Sequence, residues 1–138
     1  MKTEVLERKK PFLGICVGLQ VLADKGYEFE ERAGLGWVPG TVEKLQSGEL
    51  PLPHIGWNNL RIRRPSPILD HFKDEQDFYF VHSYVFKPAD TAHAVATTSY
   101  AEEFCSLVNK DNIYGVQFHP EKSQKAGLQL MKNFLSLS

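Results

Sequence analysis

Residues 11–18 read Pro11-Phe12-Leu13-Gly14-Ile15-Cys16-Val17-Gly18, a short apolar run ending at a cysteine held between two glycines. An apolar segment with helical spacing follows it. This is the cysteine form of the G-x-S-x-G elbow, in which a sharp strand-to-helix turn pushes a reactive side chain out of the top of a sheet. The pattern predicts a strand over 11–15, a crowded turn at Cys16 and a helix over 17–25 that Gly26 stops. A side chain at Gly14 or Gly18 is expected to collide with the neighbouring strand or helix. The amides that open the helix face Cys16 and favour its thiolate, the form that attacks. Gln20, one turn beyond Cys16, falls on nearly the same helix face.

Working outward, the segment Ile113-Tyr114-Gly115-Val116-Gln117-Phe118-His119-Pro120-Glu121-Lys122 reads as a strand that runs out into His-Pro-Glu. Val116 and Phe118 alternate with Gln117, the pattern of a half-buried strand. His119 then sits at a strand end, where open α/β sheets place functional groups. Glu121, two residues further on, is close enough to fold back onto the imidazole. A thiol needs a base to accept its proton, and that base needs a carboxylate to fix its tautomer and orientation. Cys16, His119 and Glu121 supply nucleophile, base and orienter.

The remaining pattern changes at Trp37 to short strands bounded by turn residues, over 38–45, 60–63, 78–86, 92–98, 104–109 and 113–118. Such tight spacing favours antiparallel pairing, with Lys110-Asp111-Asn112 as one hairpin connection. The block His54-Ile55-Gly56-Trp57-Asn58 follows two prolines and reads as a polar loop. Trp57 there either fills the core or anchors a partner. Ser123 is expected to cap a final helix whose Leu128, Met131, Phe134 and Leu135 form one apolar stripe packed on the core.

Composition narrows the function. A net charge of −1 provides no surface for nucleic acid or anionic lipid, and the run Arg61-Ile62-Arg63-Arg64 reads as the solvated face of a strand. Two cysteines make no disulfide framework, and Cys105 is expected in a core strand. Five scattered histidines and two distant cysteines show no ligand spacing, so neither a metal nor an organic cofactor is expected. No apolar run reaches transmembrane length and no secretory leader pattern occurs, so the expected location is a reducing cytoplasm, which suits a reactive thiol. Length fits one domain over 1–138.

The blocks G-I-C-V-G-L-Q and F-H-P-E-K-S-Q together resemble class I glutamine amidotransferases. Gly34-Leu35-Gly36-Trp37, Leu52-Pro53-His54-Ile55-Gly56-Trp57-Asn58 and Phe78-Tyr79-Phe80-Val81-His82-Ser83-Tyr84 narrow the resemblance to the branch whose glutaminase serves a cyclase in histidine biosynthesis. The ending His119 to Leu135 fits the same branch, and the similarity runs over about residues 10–137. The resemblance implies an α/β, flavodoxin-like mixed sheet flanked by helices and a Cys-His-Glu triad. It further implies that Gln20 and Glu28 hold substrate glutamine, and that His82, Ser83 and Tyr84 present backbone to its α-carboxylate. Trp57, Asn58, Tyr79 and Lys122 would face a (β/α)8-barrel cyclase that receives the ammonia. The family's I-I-D-Y-G-x-G-N strand and P-G-V-G loop, which helps to form the oxyanion hole, do not occur in this sequence. The expectation is therefore a partial domain whose first strands are missing. Alternatives are the glutaminase of another class I amidotransferase, a cysteine peptidase on a similar fold, or an inactive fragment that only binds the partner.

Overall fold

A computed structural model describes residues 2–27 and 30–137. Its main elements, in chain order, are β1 (Phe12–Ile15), α1 (Val17–Gln20), β2 (Lys25–Gly26), β3 (Arg32–Ala33), β4 (Gly40–Lys44), β5 (His54–Ile62), β6 (Gln76–His82), β7 (Tyr84–Pro88), β8 (Ala94–Tyr100), β9 (Glu102–Lys110), β10 (Ile113–Val116) and α2 (Gln124–Leu135). The ten strands join in one mixed sheet with the order β3-β2-β4-β7-β9-β8-β5-β6. β10 lies beside β9 and carries β1 on its other edge. Among the described residues β1–β10 and β2–β4 pair in parallel and the other pairs are antiparallel. Asp111 takes φ 54° in the β9–β10 hairpin, a left-handed turn that aspartate tolerates better than most residues.

Several local expectations are corrected. The helix after Cys16 ends at Gln20 rather than running to residue 25, and Gly26 lies in β2 instead of stopping a helix. The reason is competition for backbone amides. Those of Leu22 and Ala23 tighten onto Leu19 O and Gln20 O, only three residues back, and that of Asp24 donates to Gly40 O, so the amides that would continue the helix are spent elsewhere. Asp24 then anchors the chain to β4 through the Gly40 amide. The block His54 to Asn58 is strand, not loop, because β5 pairs with β6 from His54↔His82 to Leu60↔Gln76. The predicted strand 78–86 divides at Ser83, where the chain changes partner from β5 to β4 and Ser83 accepts the Leu45 amide.

α2 also packs differently from its predicted stripe. Leu128 and Leu135 are exposed, while Gly127, Leu130 and Asn133 are buried. The helix is rotated by close approach at Gly127, where a Cβ would strike the Pro120 carbonyl, and by Asn133, which donates to Ile68 O at 2.9 Å and Asp70 O at 2.7 Å. A buried amide satisfied in this way fixes the helix rotation more strictly than apolar contact would. Ser123 does not cap α2 with its side chain. Its hydroxyl donates to His119 O at 2.6 Å and accepts the Tyr79 amide at 2.9 Å.

The core falls into two clusters. One joins Phe78, Phe80, Leu107, Phe118 and Leu130, with Phe78 and Phe118 stacked at 4.1 Å. The other joins Leu19, Leu22, Trp37, Val38, Phe86 and Cys105, so the elbow helix is packed from below. Burial pushes the Cys105 thiol up to about 12, which makes it an inert core residue as expected.

Candidate active site

Parallel pairing of β1 and β10 brings the ends of two sequence-distant segments together. Ile15 lies opposite Val116, and the Cys16 amide donates to Val116 O at 2.7 Å. Cys16 itself adopts φ 54° and ψ −101°, a strained conformation for a residue with a side chain. Gly14 makes the turn possible: a Cβ there would meet the Gly18 carbonyl and sit 2.9 Å from Leu19 N. Gly18 has open space at its Cβ position, so the collision expected there does not exist.

From the adjacent strand end, His119 is fixed by its backbone. Its amide donates to Tyr79 O at 2.9 Å and its carbonyl accepts the Ser123 hydroxyl. Nδ1 lies 2.9 Å from Glu121 Oε2. A carboxylate oxygen accepts from the ring, so Nδ1 carries the hydrogen, and in the neutral form of the ring Nε2 holds the lone pair. That is the orientation a general base needs.

Gln20 joins this edge of the sheet. Its amide nitrogen lies 3.4 Å from both Tyr84 O and Gln117 Oε1. Gln117 is fully buried, which corrects its reading as the outward residue of a half-buried strand, and its amide nitrogen reaches Cys16 Sγ at 3.6 Å. The sequence signal for this side chain is a lone amide inside an apolar run, since such a group folds inward only when it has partners. Gln20 also lines a cavity of about 220 Å³ with Val17, Val21, Gly26, Arg32 and Val42. That is several times the roughly 30 Å³ share of one water molecule. Glu28 lies outside the described residues.

His82 and Tyr84 adjoin Gln20 through the Tyr84 carbonyl, which accepts His82 Nδ1 at 3.0 Å. Ser83 turns its carbonyl to β4. His54, which sequence reasoning passed over, is buried with Nδ1 2.9 Å from His82 Nε2. Trp57 is 49% exposed, which removes its core-filling reading, and it meets Tyr79 edge to face at 5.8 Å. Lys122 is exposed on the turn Pro120–Lys122, whereas Asn58 is half-buried with its amide on Ser99 O and His54 Nε2. Among the described residues no group of three or more His, Cys, Asp or Glu is arranged to hold a metal ion.

Burial lowers both His54 and His82 to about 4, with the Tyr84 carbonyl partly opposing the shift at His82. The unfolded chain takes up protons as pH falls through the ordinary histidine value of 6.5, and the folded protein does not until about 4. Their contribution is therefore complete above pH 6.5 and declines as pH falls towards 4. Urea midpoints at pH 7 and pH 5 should fall more steeply for the natural protein than for His54→Asn, which has one fewer such group. Equal slopes would contradict the neutral assignment.

The profile described as glutamine amidotransferase class-I matches residues 1–137. A protein of Pelagibacter ubique named imidazole glycerol phosphate synthase subunit HisH is 52% identical over 131 residues, covering 94% of this chain and 63% of the relative. Same-named proteins of Rhodospirillum rubrum and Aquifex aeolicus are 47% and 49% identical, each over 94% of this chain and 62% of the relative. The chain thus spans somewhat under two thirds of the length of these relatives. Among solved structures, a putative GMP synthase protein of Thermoplasma acidophilum superposes with TM-score 0.68 at 21% identity, covering 94% of this chain and 58% of that one. A glutamine amidotransferase of Thermotoga maritima gives 0.65 at 24%, covering 96% and 48%. These two likenesses concern the fold.

Proposed function

The chain belongs to the class I glutamine amidotransferase family, and on that premise we propose that it carries the glutaminase site of an imidazole glycerol phosphate synthase. The observation that carries this reading is the placement of Cys16 and the His119–Glu121 pair at the ends of adjacent parallel strands. The relatives' shared name narrows it to histidine biosynthesis. A reducing cytoplasm would keep the thiol usable.

In the proposed reaction Cys16 Sγ attacks the side-chain carbonyl carbon of glutamine while His119 Nε2 takes the thiol proton. The carbon–nitrogen bond breaks as the imidazolium returns that proton to the leaving nitrogen, and ammonia departs from a γ-glutamyl thioester. His119 next deprotonates water, which attacks the thioester; the carbon–sulfur bond breaks, the thiolate is reprotonated and glutamate leaves. Glu121 stabilises the imidazolium formed in each half. Gln20 and the backbone at His82, Ser83 and Tyr84 hold glutamine. Trp57, Asn58, Tyr79 and Lys122 mark the side of a (β/α)8-barrel cyclase that takes up the ammonia; exposed tryptophan beside tyrosine fits an interface anchor.

The test is to incubate the protein with glutamine, alone and with a cyclase partner and its ligand, and to measure glutamate and ammonia. Equimolar release in either arm is the expected result. No release in both arms would sink the proposal for this chain.

A further inference from the structure

Between Trp57 on β5 and the elbow lies a line of buried and half-buried polar groups, whose His54 and His82 side chains the proposed chemistry leaves unused. It starts at Asn58, whose Oδ1 accepts the Asn59 amide at 2.8 Å, which fixes the orientation of its side-chain amide. The Asn58 nitrogen donates to Ser99 O at 2.9 Å and reaches His54 Nε2 at 3.3 Å. His54 Nδ1 meets His82 Nε2 at 2.9 Å, and His82 Nδ1 meets Tyr84 O at 3.0 Å. The same carbonyl is approached by the Gln20 amide, and Gln20 reaches Gln117, whose nitrogen points at Cys16.

Elementary chemistry orders this line. A carbonyl only accepts, so His82 Nδ1 must carry a hydrogen. In a neutral ring Nε2 then accepts, which obliges His54 Nδ1 to donate and His54 Nε2 to accept from Asn58. Every donor meets an acceptor in one direction only; reversal sets donor against donor at Asn58 and acceptor against acceptor at the Tyr84 carbonyl. Burial supports the neutral state of both rings. Packing also removes rotational freedom from the middle of the line. The His54 ring is stacked against Phe80 and Tyr100, at 5.1 and 4.1 Å, and the Tyr100 hydroxyl donates to Pro51 O at 2.6 Å.

We propose that Asn58, His54 and His82 are positioning residues: a one-directional hydrogen-bond relay that ties the Trp57 edge of β5 to the Tyr84 carbonyl and the Gln20 amide beside Cys16. This rests on the reading of Gln20 as a glutamine-holding group. Trp57 and Asn58 are consecutive on β5, and β5 is in register with β6 through Trp57↔Tyr79 and His54↔His82. Pressure on the exposed Trp57 edge therefore moves the first donor of the relay. A buried polar chain of this type fails as a unit, because one missing link leaves its neighbour unpaired in a low-dielectric interior.

Two independent readouts test the relay. Nitrogen-15 spectra of the histidine side chains should show both His54 and His82 as Nδ1–H tautomers. Asn58→Ala, which does not touch His82, should nonetheless shift the His82 nitrogens. With glutamine as substrate, His54→Phe keeps the stacked ring but removes both nitrogens and should raise KM roughly 5- to 20-fold, with a smaller change in kcat, as expected for one lost hydrogen-bond link. His54→Asn, which returns a donor near the Nδ1 position, should recover most of that loss; a purely structural role would not distinguish the two. An Nε2–H tautomer at either ring, or His82 resonances indifferent to Asn58→Ala, overturns the relay. If the natural protein releases no glutamate, the glutaminase reading falls and the nitrogen spectra alone decide the relay.

Discussion

Cys16→Ala, His119→Ala and the double variant are expected to lower glutamate release by the same large factor, on the order of 10⁴ or more, because the members of such a unit have grossly non-additive effects. Without the thiol there is no thioester to form. Without the imidazole the thiol keeps its proton and the leaving nitrogen receives none, so chemistry stops at the same bond. Removing both costs little beyond removing either. Glu121→Gln should cost less, because the amide can retain a contact with Nδ1 but loses the charge that stabilises the imidazolium. The check is kcat/KM for the four variants with the same partner preparation. Losses that multiply in the double variant would mean that the two groups act on separate steps, and the triad assignment would fail. Undiminished release by Cys16→Ala would remove the nucleophile altogether.

The legible and illegible parts of this site differ for a physical reason. The Cys16 turn and the His119–Glu121 contact were readable because each is set by local chain: an elbow after a glycine, a strand end, and a carboxylate two residues away. Local propensity also revealed most strands and the Lys110–Asn112 turn. What stayed hidden depends on contacts between distant segments. The helix after Cys16 stops at Gln20 because the Asp24 amide is taken by Gly40 O instead of Gln20 O, a competition that no local window of sequence contains. His54 resembled a loop residue until β6 was seen to pair with it, and Gln117 resembled an outward residue until Gln20 and Cys16 were seen on its inner side. The rotation of α2 was set by Gly127 and Asn133, a missing side chain and a polar one, so a count of apolar positions placed Phe134 on the core but wrongly included Leu128 and Leu135. Hydrophobic periodicity reports which faces could be buried, whereas satisfied buried polar groups decide which face is.

The second large effect concerns the two glycines of the elbow, which look equivalent in sequence and are not. Gly14→Ala should destabilise the fold by about 3 kcal/mol, near the upper end for forcing a methyl group into a packed site. The new Cβ would face the Gly18 carbonyl, its carbon at 2.5 Å and Leu19 N at 2.9 Å. All three are backbone atoms of α1, so no side-chain rotation relieves the clash. Relief requires α1 to lift from β1, which uncovers the buried Leu19 and displaces Cys16 and Gln20 together. Gly18→Ala should be neutral or stabilising by up to about 1 kcal/mol, since nothing lies within 4 Å of its Cβ and alanine favours a helix interior. Urea titration of both variants gives the answer, as a shift of midpoint at constant slope. A share of about 3 kcal/mol is large against the 5–15 kcal/mol typical of whole domains. Equal midpoints for the two variants would mean that α1 does not rest on β1 at Gly14, and that the strained Cys16 turn is held by some other contact.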